Sequence, residues 1–348
     1  MAHLDSSGKW FVLVPLRLFL VKSMPFLDIL TRKENNPGLN TTASKIISLE
    51  DPVFALSVRN DKTLVGSYLR GSNDNYIRVL ETGFKFPHRL PPSQVAWSPS
   101  EKEGATFAST STSLRVWRLG DEKPLVKLYP ANKSGTNAPC PMTGLSWNPY
   151  NVSRIATASI DTTISIWDVE KGKLETQLIA HEKPVLDVAY GNSMHQFASV
   201  SEDGSLRLFD TRDLDHSTIL YEDSAPLLRV CWPRLESAPY MLSTMAADSS
   251  DIMLFDIRKS GFLLGVLRLG TVYPNAMSWS TSGCLAVGLS DGSIALSPTK
   301  LDQPQKLQPE KLISPIFSGG LTNVAWSADN SSLVVAYGST LCINVGVN

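Results

Sequence analysis

The chain has 348 residues, 43% hydrophobic and 19% charged, with 32 basic against 33 acidic side chains and a formal net charge of −1. That apolar fraction suffices for a large core, and the near-neutral balance, with no long basic run, argues against direct nucleic-acid binding. The four cysteines, Cys140, Cys231, Cys284 and Cys342, have no CxxC or paired spacing and read as reduced thiols in a cytosolic or nuclear protein.

In chain order, residues 1–44 come first and share no pattern with the rest of the chain. Trp10–Val21 is apolar enough to raise a signal peptide or membrane anchor. Arg17 interrupts it, Pro15 and Pro25 break a helix, and the run is too short to span a bilayer. The preferred reading is a poorly ordered extension or a misassigned start, with Met24 as an alternative initiator and no membrane contact.

Residues 45–348 form one repetitive unit. Lys45–Glu50 reads as an orphan strand. A first repeat comes next, with strands at Phe54–Arg59, Thr63–Leu69 and Tyr76–Glu81. Ser57 stands there where the later repeats carry an aromatic anchor. These anchors are Trp97, Trp147, Tyr190, Trp232, Trp279 and Trp326, spaced 50, 43, 42, 47 and 47 residues apart. A period of about 40–50 residues marks a solenoid or a propeller. After each anchor comes a run rich in small residues, such as Arg154–Ser159 or Gln196–Ser201, then a turn such as Asp161-Thr162, Asp203-Gly204 or Asp291-Gly292. A third, alternating run closes most repeats, as at Ile164–Val169, Leu206–Thr211 and Ile252–Ile257. Period-2 alternation bounded by Asp and Gly predicts strand–turn–strand units and an all-β chain. Pro130–Pro141 and Pro298–Pro315 are turn-rich and polar, and are expected to be loops.

Trp167-Asp168, Phe209-Asp210 and Phe255-Asp256 resemble the signature of WD repeats. The resemblance implies a seven-bladed β-propeller of four strands per blade. The last repeat ends at Leu341–Val345 without residues for a fourth strand, so Lys45–Glu50 is expected to supply it and close the ring. In WD repeats a His before the inner strand bonds the turn Asp and a strand Ser or Thr. That implies a structural network of His181 with Asp203 and either Ser199 or Ser201, cut short by Phe209 where a Trp is usual. Repeat three keeps Asp161 and Trp167 but lacks the His.

Longer stretches are more specific. Ser159–Gly172, Thr176–Tyr190, Phe197–Asp223 and Pro226–Trp232 resemble the WD-repeat family of the plant transparent testa glabra and anthocyanin-eleven proteins, whose animal member is a cullin-ligase-associated factor. The most specific phrase is Leu214–Asp223. The resemblance implies a non-enzymatic scaffold that bridges transcription factors or protein kinases, a monomer within larger complexes. An alternative is a substrate receptor of a cullin-4-type ubiquitin ligase, whose W/F-D-x-R ending would place Arg212 and Arg258 against the ligase adaptor. A weaker alternative is a membrane-trafficking propeller. No cofactor or metal site is expected. Gly288–Gly292 matches the GxSxG pattern of hydrolases, but Ser290 falls between two strands rather than at a strand-to-helix turn.

Overall fold

The computed structural model describes residues 3–4, 10–11, 45–69, 71–100, 105–130, 140–235, 238–298, 309–317, 319–343 and 345. Apart from a two-stranded pairing of His3–Leu4 with Trp10–Phe11, the strands form seven four-stranded antiparallel sheets. These are the blades of a β-propeller. Blade one spans Val53 to His88, blade two Gln94 to Leu128 and blade three Met142 to Ile179. Blade four spans Val185 to Glu222, blade five Leu227 to Arg268 and blade six Pro274 to Ile313. Blade seven combines Asn323–Trp326, Leu333–Tyr337 and Thr340–Ile343 with Lys45–Ser48 as its outermost strand. The antiparallel register Lys45↔Ile343 to Ser48↔Thr340 closes the ring, and a closed ring leaves only short sheet edges. Among the described residues no helix is long and apolar enough to cross a membrane. The extension 1–44 otherwise lies outside the described residues.

The strand sequences follow from how blades stack. A second strand is covered on both faces by neighbouring blades, so Thr106–Thr110 and Met241–Ala246 are buried at every position. Close packing on both sides selects Ala, Ser and Thr. The outer strand Lys173–Ile179 is at the rim and reads mostly half-buried or exposed. The anchors end the inner strands. Trp97, Trp147, Tyr190 and Trp232 are buried, while Trp279 and Trp326 are half-buried.

Two elements differ from the sequence reading. The expected loop Pro298–Pro315 contains the outer strand of blade six, Lys311–Ile313, which pairs with Ile294–Leu296. Three residues give too short a run for alternation to stand out among polar neighbours. The outer strand of blade four, Asp213–Glu222, has ten residues, and its register jumps from Asp210↔Asp213 to Phe209↔Ser217. Leu214, Asp215 and His216 therefore bulge from the sheet.

Inner strands are tied to one another around the ring. Register shifts interrupt them near their starts, as between Val185 and Asp187. Thr143 Oγ1 donates to the Val185 carbonyl at 2.6 Å, and Asn275 Nδ2 donates to that of Leu321 at 3.1 Å. Gln94 of blade two reaches furthest. Its Oε1 accepts from Leu145 N at 2.7 Å, and its Nε2 donates to Asp187 Oδ1 at 3.3 Å. Asp187 also accepts from Val230 N, with Arg229 Nη1 3.8 Å away. One carboxylate thus links blades two, four and five, and burial pushes its pKa up.

Candidate functional site

In each antiparallel blade the end of the inner strand and the end of the third strand emerge on the same face, here called the lower face. The turns between second and third strands emerge on the opposite, upper face.

On the upper side, blade four holds a buried polar network. His181 Nδ1 lies 3.0 Å from Asp203 Oδ2, and His181 Nε2 lies 2.7 Å from Ser199 Oγ. Asp203 also accepts from Ser205 N and Ser205 Oγ, at 2.9 and 2.7 Å. Ser201 does not bond His181; it accepts from Asp203 N and donates to the Pro184 carbonyl. Burial pushes the His181 pKa down, so the neutral ring donates from Nδ1 to the carboxylate and accepts the Ser199 proton at Nε2. Asp203 is held low through its bonds to His181 and Ser205, which outweigh its burial. Phe209 contributes no polar atom and stacks on Phe197 with centroids 5.0 Å apart. In blade three Trp167 Nε1 donates to Thr157 Oγ1 at 2.8 Å, and Asp161 caps the turn through Thr163 N and Oγ1.

Sequence reasoning missed a second histidine network. His88, at the end of blade one, approaches Ser109 Oγ of blade two at 3.3 Å, and Trp117 Nε1 donates to the same oxygen at 3.0 Å. His88 Nδ1 faces the Leu90 carbonyl. Burial, helped by Arg115, pushes the His88 pKa down to about 3. The signal was available: His88 precedes its inner strand much as His181 does.

The lower face is stitched together by side chains of its turns. Asn148 Nδ2 of blade three donates to the Met194 carbonyl of blade four at 2.9 Å. Asn192 Nδ2 of blade four donates to the Pro233 carbonyl of blade five at 2.8 Å. Arg59 Nη1 of blade one donates to the Ser98 carbonyl of blade two at 3.0 Å. Asn330 Nδ2 of blade seven donates to Thr281 Oγ1 of blade six at 2.6 Å. Gly191 is needed where it stands, because a Cβ there would meet the Trp232 ring at 2.7 Å. On this braced face Tyr150 is 58% exposed, Met194 42% and Phe262 72%.

Arg212 and Arg258 end the third strands of adjacent blades and lie on this face. Neither is simply solvated. Arg212 Nε and Nη2 clip Asp210 two residues earlier, and Arg258 does the same to Asp256. The Arg258 guanidinium also lies 3.4 Å from the centroid of the Tyr240 ring. The Arg212 guanidinium pulls the Asp210 pKa down to about 2, and Arg258 lowers that of Asp256. The forks are thereby held in fixed directions with their outer N–H groups directed to solvent, an arrangement Lys cannot copy.

Ser290 sits in a turn where its Oγ accepts from Tyr273 N at 3.3 Å. Among the described residues no three His, Cys, Asp or Glu side chains gather where they could hold a metal.

Seven four-stranded blades, with third strands that end in Trp167-Asp168 in blade three and in Phe209-Asp210 and Phe255-Asp256 in blades four and five, define a WD-repeat β-propeller. The WD domain, G-beta repeat family matches residues 133–168 and 172–210. The DDB1- and CUL4-associated factor 7 homolog of Dictyostelium discoideum is 34% identical over 265 residues, 74% of this chain and 81% of that protein. An uncharacterized WD repeat-containing protein of Schizosaccharomyces pombe is 30% identical, covering 72% of this chain and 74% of its own. The chain belongs to this family of WD-repeat proteins. Among solved structures, a chain of the mitotic checkpoint complex superposes with a TM-score of 0.70 at 16% identity, covering 90% of this chain and 94% of that one. The structure of U3-55K matches with a TM-score of 0.70 at 14% identity, covering 86% of this chain and 98% of its own. At such identities these two likenesses concern the fold alone.

Proposed function

We propose that this protein is a non-enzymatic scaffold that holds regulatory proteins together, with transcription factors and protein kinases as its partner classes, in nucleus and cytoplasm. The observation that carries this reading is the lower face. Its turns are cross-bonded between blades, so an exposed set of Tyr, Met, Phe and Arg is presented with little left to order on binding. Aromatic, Met and Arg side chains are those enriched at protein interfaces. Preorganisation of this kind lowers the entropic cost of association. The test is sequential capture. A tagged kinase should retain a transcription factor only when the full chain is present. Equal retention without the chain would contradict bridging.

A second reading is a substrate receptor of a cullin-4-type ubiquitin ligase. It is supported by the adjacent Arg212 and Arg258 clips and by the name of the Dictyostelium relative. Its test is binding of purified DDB1-type adaptor to the wild-type chain and to the Arg212→Ala, Arg258→Ala variant. At least a tenfold loss is expected, and unchanged affinity would exclude this use of the two arginines.

A further inference from the structure

Blade two departs from blade four at one place, and the departure leaves a charge without its counterpart. From Ser199 to Phe209 in blade four is ten positions, as from Thr157 to Trp167 in blade three. From Ser109 to Trp117 in blade two is eight. Side-chain bonds fix the equivalence of blades two and three, since Trp117 bonds Ser109 as Trp167 bonds Thr157. The upper turn of blade two is therefore two residues shorter, and what it lacks is the Asp-Gly of Asp203-Gly204.

Three consequences appear around the missing carboxylate. In blade four Arg207 donates from Nε to Ser205 Oγ at 3.1 Å, and its Nη2 lies 4.0 Å from Asp203. In blade two Arg115 donates from Nε to Ser113 Oγ at 3.3 Å in the same way, but among the described residues no carboxylate pairs with it. In blade four Ser201 Oγ accepts from Asp203 N at 3.1 Å. Its counterpart Ser111, 5% exposed, has an Oγ with no hydrogen-bond partner among the described residues. Finally, Lys127 stands directly across the sheet from Arg115, a like-charge pair that is unfavourable without an anion. The Lys127 ammonium lies 5.2 Å from the centroid of the exposed Tyr129 ring. Burial lowers the Arg115 pKa, the cost an arginine bears when no negative charge faces it. His88 is neutral and bonded to the Leu90 carbonyl and Ser109 Oγ, so it supplies no charge here.

We propose that the upper rim of blade two is an anion-recognition site for a partner peptide, in which Arg115 and Lys127 take a carboxylate or phosphate group into the place that Asp203 fills in blade four. The partner is an extended segment with an acidic or phosphorylated side chain, and Tyr129 offers its ring to the neighbouring residue. This site is on the opposite face from Arg212 and Arg258 and stands independently of the scaffold and ligase-receptor readings.

The test is fluorescence anisotropy on the full chain with two labelled probes, hexaglutamate and a glycine-flanked phosphoserine peptide, with inorganic phosphate as competitor. At least one peptide should bind, more weakly as salt rises, and inorganic phosphate should compete. Arg115→Gln and Lys127→Gln should each weaken binding about tenfold, as loss of a charge-assisted contact does. Lys127 is exposed, so its variant remains informative if Arg115→Gln fails to fold. Arg207→Gln should leave affinity unchanged. Inserting Asp-Gly after Thr112 should abolish binding while both cations remain. Preference for phosphoserine assigns phosphate as the ligand, and equal binding of hexaglutamate assigns carboxylate. Failure of both peptides to bind, or equal affinity in the Arg115, Lys127 and insertion variants, would overturn the site.

Discussion

Asn148 of blade three reaches across to the Met194 carbonyl of blade four, 2.9 Å away, while its own Oδ1 accepts from Tyr150 N and Asn151 N, each at 2.9 Å. A single side chain thus sets the shape of its own turn and fixes the next one. Removing it leaves three backbone groups to find other partners. Asn148→Ala should lower stability by about 1–3 kcal/mol, the range for stranding buried polar groups, and loosen Tyr150 and Met194 together. Hydrogen exchange should show faster amides in both turns. Loss of protection in the blade three turn alone would contradict the coupling.

Ring closure makes a sharper prediction. A chain beginning at Lys45 keeps the outermost strand of blade seven, and one beginning at Asp51 loses it with the bond from Leu49 N to the Ser339 carbonyl. The shorter chain exposes the edge of Thr340–Ile343 and should melt several degrees lower, with greater aggregation. Equal melting temperatures would contradict a closing role for Lys45–Ser48.

Much of this fold could be read from the residues, for a physical reason. Blades two to seven end the inner strand on a bulky anchor and place small side chains in the second strand, so those positions repeat from Trp97 to Trp326, with Ser57 at the anchor position of blade one. The closing strand was legible because the last repeat stops one strand short. What stayed hidden depends on context. Lys311–Ile313 is too short to show alternation. The His88 network is masked because blade two, whose Ser109 the ring meets, lacks the Asp that flags such a turn. The clip of Asp210 on Arg212 is a side-chain conformation, and composition carries no trace of it.

The buried histidines set a pH dependence. His88 has a folded pKa of about 3 against about 6.5 when unfolded. Its depressed value means that protonation favours the unfolded chain. Stability is therefore full above pH 6.5 and falls as pH drops below it toward 3. Between pH 7 and pH 5 this one group should cost about 2 kcal/mol. His181 acts in the same direction. Denaturant titrations at both pH values should show His88→Asn losing about 2 kcal/mol less than the wild type over this interval. An unchanged pH slope would contradict a neutral buried His88.

Asp187 of blade four links blade two, through Gln94, to the adjacent pair of blades four and five. Asp187→Ala would leave Gln94 Nε2 and Val230 N without their acceptor. A loss of about 2–3 kcal/mol is expected. Gln94→Ala combined with it should cost less than the sum, because the two share one bond. Additive losses in that double-mutant cycle would show that the link carries no energy.

The most direct test of the scaffold account is capture by the lower face itself. Tyr150→Asp with Met194→Asp places charge on two exposed side chains, so the circular dichroism spectrum and melting temperature should match the wild type. The tagged full chain and this variant would be used side by side for quantitative capture of kinases and transcription factors from cells. The account predicts that these partners fall at least tenfold with the variant. Equal capture by both chains would contradict the lower face as the docking surface.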